Sequence, residues 1–270
     1  MEIGLSSACF YPNVDTENSI KKMKELGFNH GEIFLNSPSE YEDEFLKMLL
    51  EKKELYEFNV NSVHAFSGSF EPYLFDKYDR RRKDMLKNFK DVCKAAKVLG
   101  ARYYTFHGMR NTDFNELDTK FVIDIYNELS YIAMESGIKL AQENVSWCMS
   151  SNLKFLKFLS ESCMHPIYFT LDLKQAYKAN VSVEKYIEVM GRNIVNLHIN
   201  DRDENSPCLL PGNGNLNYED IARSLKNVKY SGKGIIEVYS NNYMNFEELI
   251  QAKNLVLKKF NSFGINKIIL

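Results

Sequence analysis

The stretch Ile194-Val195-Asn196-Leu197-His198-Ile199-Asn200-Asp201 decides how this chain is read. Apolar residues alternate through it, the pattern of a strand driven into a core, and His198 stands near its end with Asn200 and Asp201 just beyond. Three other segments have the same shape: residues 138–144 run to Glu143, 167–172 to Asp172 and 234–239 to Glu237. The four polar residues are spaced 29, 26 and 39 positions apart, each interval about one strand plus one helix. Parallel strands joined by helical crossovers bring such ends side by side. Glu143, Asp172, His198 and Glu237 are therefore expected to converge on one point. Three carboxylates and one imidazole suit one divalent metal ion, Mn²⁺, Mg²⁺, Co²⁺ or Zn²⁺.

The rest of the chain repeats the unit. Further strands are expected at 3–8, 30–35, 59–66 and 103–106. Asp15 is placed to cap a helix carrying Ile20, Met23 and Leu26, with Gly27 as its stop. Helices follow at 41–58, 81–99, 118–135, 152–161, 183–190 and 218–226. The last helix opens on Asn245 and Glu248, a capping-box-like pair. The clearest is 81–99, where Met85, Leu86, Phe89, Val92, Cys93, Ala96 and Leu99 form one apolar stripe ended by Gly100. Eight strands alternating with eight helices argue for a single (β/α)8 TIM barrel domain over residues 1–270. Two stretches lack periodicity. Residues 67–80 are aromatic and read as a loop over the barrel mouth; 200–217 contain the turn signal Pro211-Gly212-Asn213-Gly214. A doubly wound open sheet would require a glycine-rich turn after the first strand, where the chain has Ala8-Cys9-Phe10-Tyr11-Pro12.

Composition narrows the function. A chain that is 44% hydrophobic and 26% charged is ordinary for a soluble globular protein. The net charge of −2 gives no electrostatic footprint for nucleic acid or a membrane surface. Five scattered cysteines without a Cys-x-x-Cys spacing read as reduced thiols in a cytoplasmic protein, with neither a disulfide framework nor a zinc ribbon. The N-terminus shows no signal-peptide pattern, and no run reaches the roughly eighteen apolar residues of a membrane span.

Barrel enzymes carry their chemistry at the C-terminal ends of the strands. The polar residues expected there are Glu32, His64, His107, Glu143, Asp172, His198 and Glu237. Each has a bland reading on its own. Glu32 reads equally well as a salt-bridged rim residue, His64 and His107 as histidines satisfied by backbone, and Asp172 as the cap of the turn after its strand. Glu143 and Glu237 follow strongly apolar runs, where burial without a partner is costly and a cation or a substrate hydroxyl relieves the cost. Seven such coincidences carry more weight than any one. Trp147 offers a wall on which a sugar ring could stack, or simple loop packing. Cys208 lacks a nearby basic partner, and Arg80-Arg81-Arg82-Lys83 reads best as a solvated helix start.

The chain resembles the xylose isomerase-like barrel superfamily, the group of sugar phosphate isomerases and epimerases and of endonuclease IV. The marks are Ser62-Val63-His64-Ala65, Phe106-His107-Gly108, Gln142-Glu143-Asn144, Leu171-Asp172, Leu197-His198-Ile199-Asn200-Asp201, Pro211-Gly212-Asn213-Gly214 and Ile236-Glu237. The resemblance implies one divalent metal on Glu143, Asp172, His198 and Glu237, with His64 and His107 toward the substrate or a second metal and Gln175, Trp147 and Asp201 toward the substrate. It implies a small sugar or sugar phosphate as partner, converted through an enediolate with Glu143 and Glu237 as the acid–base pair, and a homo-oligomer as one possible assembly. Two positions depart from the pattern: Gln175 stands where the family usually has histidine, and Leu209-Leu210 where its sugar epimerases often have arginine. Alternatives on the same scaffold are an endonuclease IV-like phosphodiesterase and a hydro-lyase of the inosose dehydratase type. The first is disfavoured by Gln175, by Ser206-Pro207-Cys208 before the Pro-Gly turn, and by the net charge.

Overall fold

Polar and apolar residues alternate along β7 (Ile194–Ile199) because its two faces meet different surroundings. Leu197 and Ile199 are buried in the apolar core, while Asn196 and His198 face the barrel lumen and reach Glu32 on a strand that is not a neighbour. The structure, a computed structural model describing residues 1–262, closes eight parallel strands into one barrel in sequence order. The others are β1 (Ile3–Ser6), β2 (His30–Leu35), β3 (Asn59–Ala65), β4 (Tyr103–Phe106), β5 (Lys139–Glu143), β6 (Tyr168–Asp172) and β8 (Lys233–Ile236). β8 pairs with β1 to complete the ring. The fold is the expected TIM barrel, in which every strand after the first is reached by a crossover long enough to hold a helix.

The helices are α1 (Thr16–Glu25), α2 (Asp43–Leu55), α3 (Asp79–Val98), α4 (Thr119–Glu135), α5 (Leu153–Ser162), α6 (Leu173–Lys178), α7 (Val183–Met190), α8 (Tyr218–Asn227) and α9 (Glu247–Asn261). Phe89, Val92, Cys93 and Ala96 of α3 are fully buried, as the stripe required. Strict one-to-one alternation does not hold, since α6 and α7 both lie between β6 and β7. Asp172 caps α6 by accepting from the Gln175 amide, which turns the chain sharply at the barrel mouth. Asp15 occupies the N-cap of α1 without a side-chain capping bond. At α9 only half of the capping box forms: Glu248 reaches back to the Asn245 amide, while the N-cap itself is Phe246.

Residues 67–80 differ from the expected irregular loop. They form two short 3-10 turns (Ser67–Ser69 and Glu71–Phe75) and then the start of α3. Phe70, Leu74 and Phe75 are buried, and the fully buried Glu71 ties the segment to the end of β4. Its carboxylate accepts from Tyr104 Oη at 2.6 Å, from the His107 amide at 2.6 Å and from the Gly108 amide at 3.0 Å. Among the described residues no helix is long and apolar enough to cross a membrane. The terminal residues of the expected 1–270 domain, 263–270, lie outside the described residues.

Candidate metal centre at the barrel mouth

The centre rests on a buried polar layer inside the barrel. Glu32 on β2, expected either in the site or as a salt-bridged rim residue, is fully buried in the lumen. Its Oε2 accepts from Ser62 Oγ at 2.7 Å, Thr105 Oγ1 at 2.9 Å and Asn196 Nδ2 at 3.4 Å. It also lies 3.1 Å from His198 Nε2. An ionised carboxylate only accepts, so this contact places the imidazole proton on Nε2. Burial opposes the Glu32 charge, but His198 and its hydrogen bond overcome it and hold the carboxyl below its usual range.

With Nε2 committed, His198 Nδ1 faces the mouth. It lies 3.2 Å from Glu237 Oε2, 3.3 Å from Glu143 Oε1 and 3.8 Å from Asp172 Oδ2. One ligand atom from each of these four residues falls within 4.8 Å of the others. The register of the sheet sets this up. Asp172 and His198 are direct partners across β6 and β7, and the Glu237 amide donates to Ile199 O at the end of β7. Asn144 pins Asp172 by exchanging two hydrogen bonds with its backbone. Asp172 Oδ1 is satisfied by the Gln175 amide and Asn200 Nδ2. Asp172 Oδ2, Glu143 Oε2 and His198 Nδ1 are buried without a partner in hydrogen-bonding geometry. Lone pairs of three carboxylates and a nitrogen gathered in a dry site repel one another unless a positive charge sits among them. The donor set therefore fits a divalent cation, all oxygen and imidazole nitrogen, without thiolate.

Without such an ion the charge is met by protons and by one lysine. Burial works against a charged His198, but Glu237 and Glu32 prevail and hold its imidazole well above the ordinary range. Glu143, equally buried, is held well below the usual carboxylate range by His107 and by the neighbouring His198 and His64 imidazoles. Glu237 is likewise depressed despite burial, by His198 and Lys174.

His64 and His107 stand on the far side of Glu143. Their Nε2 atoms are 2.8 Å apart and lie 3.7 and 2.8 Å from Glu143 Oε2. His64, His107 and Glu143 thus form a second group able to hold a metal ion, with Glu143 common to both. Phe34 stacks on the His64 ring, with centroids 4.6 Å apart. Gln142 clamps the end of β4, its Nε2 donating to the carbonyls of Phe106 and His107 while its Oε1 accepts from Tyr126 Oη. Gly108 turns the chain away at φ +79°, and a Cβ there would press on Tyr126 and Gln142.

The remaining expected contacts divide. Trp147 stands half-exposed at the rim, its ring edge-on to His107 at 5.7 Å. Gln175 is turned aside, its Oε1 accepting from the amide and hydroxyl of Ser146. Asp201 corrects the expectation that it faces substrate. Its carboxylate is spent inside its own loop, on the amides of Arg202, Gly212 and Leu216. That clasp closes the Pro-Gly-Asn-Gly turn, where a Cβ on Gly214 would collide with the Arg202 carbonyl. Lys174 was not singled out in the sequence. It is buried, with Nζ 3.5 Å from Asp172 Oδ2 and 3.4 Å from Glu237 Oε2. Burial disfavours its charge, yet Asp172 and Glu237 hold it ionised, well above the usual lysine range. A Lys after Asp172 reads as solvated surface; only the capping of α6 by Asp172 hinted that the residue turns inward.

A family model described as xylose isomerase-like TIM barrel matches residues 20–260. A protein of Methanocaldococcus jannaschii described as uncharacterised is 24% identical over 273 residues, covering 96% of this chain and 89% of its own. Among solved structures, a D-tagatose 3-epimerase-like protein superposes with a TM-score of 0.80 at 21% identity, over 97% of this chain and 99% of its own. An L-ribulose 3-epimerase gives 0.80 at 14% identity, over 97% and 96%. The IOLI protein, solved with a bound zinc atom, gives 0.78 at 18%, over 97% and 99%.

Proposed function

This chain belongs to the xylose isomerase-like TIM barrel family, and on that premise we propose that it is a divalent-metal-dependent isomerase or epimerase of a sugar or sugar phosphate. The observation that carries the reading is the convergence of Glu143, Asp172, His198 and Glu237 at the barrel mouth, where one ligand atom of each lies within 4.8 Å of the others. The epimerases and the zinc-bearing protein among its structural neighbours point the same way.

A divalent ion held by these four residues supplies the polarisation that makes a C–H beside a sugar carbonyl acidic. The chain supplies the proton transfers. Glu143 and Glu237 each offer one oxygen to the centre, which fixes their orientation. One carboxylate removes the α-proton and leaves an enediolate. The other returns a proton to the opposite face for epimerisation, or to the adjacent carbon for isomerisation, so the product is an isomer of the substrate. Glu143 Oε2, against the His107–His64 pair, gives the proton a path toward those imidazoles. Trp147 forms an apolar wall at the entrance.

The test is a panel of ketoses and aldoses, free and phosphorylated, offered to stripped protein with Mn²⁺, Mg²⁺, Co²⁺ or Zn²⁺, with products separated by chromatography. With a substrate in hand, Glu143→Gln and Glu237→Gln are expected to abolish turnover in folded protein. Near wild-type exchange of the α-proton in deuterated water by either variant would remove these roles. A product lighter by one water would assign a hydro-lyase instead. The His64–His107–Glu143 group favours a second reading, a multi-metal phosphodiesterase. About three tightly bound zinc ions per chain, in place of one divalent ion, would support it.

A further inference from the structure

Lys174 is a buried lysine that the reaction above does not use, and it touches the candidate metal centre directly. It stands in the first turn of α6, only 5% exposed, with its Nζ over the Tyr239 ring at 4.9 Å. Its ammonium lies 3.5 Å from Asp172 Oδ2 and 3.4 Å from Glu237 Oε2, the same two oxygens that face His198 Nδ1. A salt bridge that served packing alone could use any carboxylate oxygen. This one uses the oxygens turned toward the common point, while Asp172 Oδ1 is left to Gln175 and Asn200.

We propose that Lys174 is a resident cation of the centre, which shares Asp172 and Glu237 with the divalent ion, holds them together when the ion is absent and weakens ion binding when it arrives. The inference rests on the metal reading given above. Two like-charged carboxylates in a dry site repel, and an ammonium between them removes that repulsion without a metal. The same ammonium then repels an incoming divalent ion and competes for its ligands. With both cations present, Lys174 offsets part of the carboxylate charge, so the loaded pocket is less repulsive to the oxyanion left when a C–H proton departs. Lys174 is thus a positioning residue that acts through Asp172 and Glu237.

The test compares wild type with Lys174→Met, both stripped by chelation, using Mn²⁺ alone as the probe. Calorimetric titration gives the affinity, and thermal melting with and without Mn²⁺ gives the stability of each form. The variant is expected to bind Mn²⁺ at least about tenfold more tightly. Its stripped form should melt below stripped wild type, while the two loaded forms melt close together. A merely structural lysine would lower both forms alike and would not tighten the ion, and either result overturns the proposal. Should stripped Lys174→Met not fold, Lys174→Gln, which keeps a polar end of similar reach, takes its place. Wild type that takes up no Mn²⁺ would sink the metal reading and this inference with it. Wild type that binds Mn²⁺ beside a variant that binds it no better would sink this inference alone.

Discussion

Replacing Glu32 by Gln tests whether the polar layer in the lumen exists to aim His198. The change keeps the shape and removes one charge. Four groups approach Oε2, namely Ser62, Thr105, Asn196 and His198, whereas only Ser6 Oγ approaches Oε1, at 3.4 Å. The glutamine is therefore expected to keep its carbonyl at the Oε2 position and direct its NH₂ at Ser6. That hydroxyl already accepts from the Ala8 amide and has a second lone pair to offer. All five partners stay bonded, so the fold is spared. What is lost is the charge on the acceptor of the His198 Nε2–H bond. A hydrogen bond to a charged group contributes ~1.5–3 kcal/mol and a neutral one ~1 kcal/mol. The difference, about 0.5–2 kcal/mol, falls on the step that fixes the imidazole with Nδ1 outward. It corresponds to roughly a two- to thirtyfold loss of divalent-ion affinity, since about 1.4 kcal/mol is one decade.

The assay is calorimetric titration of stripped Glu32→Gln with Mn²⁺, with thermal melting of the stripped protein beside it. Weaker ion binding with a melting temperature close to wild type is the expected result. An affinity within twofold of wild type in a folded variant would refute the orienting role of Glu32. Glu32→Ala serves as a contrast. It leaves Ser62, Thr105 and Asn196 facing a cavity and is expected to destabilise the barrel itself by several times as much, each unsatisfied buried donor costing about 1–3 kcal/mol. The opposite signs expected for Glu32→Gln and Lys174→Met also exclude a general loosening of the centre, which would weaken the ion in both.

Glu71→Gln should destabilise the protein by ~1–3 kcal/mol, because with its carbonyl on the His107 and Gly108 amides its NH₂ faces Tyr104 Oη, whose buried O–H loses its acceptor; urea unfolding measures it, and a wild-type midpoint would show the clasp to be dispensable. His30, at the opposite end of the barrel, is lowered to about 4 by burial and by Lys233. Its folded value lies below its unfolded one, so the stability it confers is present above about pH 6.5 and is lost as the pH falls through 4. Relative to His30→Gln, wild type should lose up to ~3 kcal/mol between those limits, measured by unfolding at a series of pH values. Parallel acid sensitivity of the two proteins would contradict the assignment.

The fold was legible because a barrel strand writes two messages in one run of residues. Phe169, Leu171, Leu197 and Ile199 are apolar for the helices, while Thr170, Asn196 and His198 are polar for the lumen. That alternation, repeated at intervals of one strand plus one helix, fixes both the strand ends and their order. The segment between β6 and β7 was only partly legible. A six-residue helix is too short to show a period, so α6 left no trace beyond the cap signal of Asp172. The 67–80 segment looked like free loop because Glu71, which anchors it, finds its partners on β4 and just after it, more than thirty residues on.

The site shows the same division in sharper form. Residues whose task is set by position along a strand, Glu143, Asp172, His198 and Glu237, could be found from spacing. What faces them across the barrel could not. Glu32 and His198 are 166 positions apart on strands that are not neighbours, and only closure of the sheet brings them to 3.1 Å. Asp201 misled for the converse reason. A carboxylate just past a strand end looks free to meet a ligand until the turn at Gly212 and Gly214 folds three amides onto it. Lys174 combines both effects, since its neighbour Asp172 is local but Glu237 follows a strand two places further around the ring. Charges meant to meet in the interior of a closed sheet therefore look like surface charges in the sequence. The placement of Glu32 and Lys174 against the three carboxylates is a property of closure rather than of any one motif.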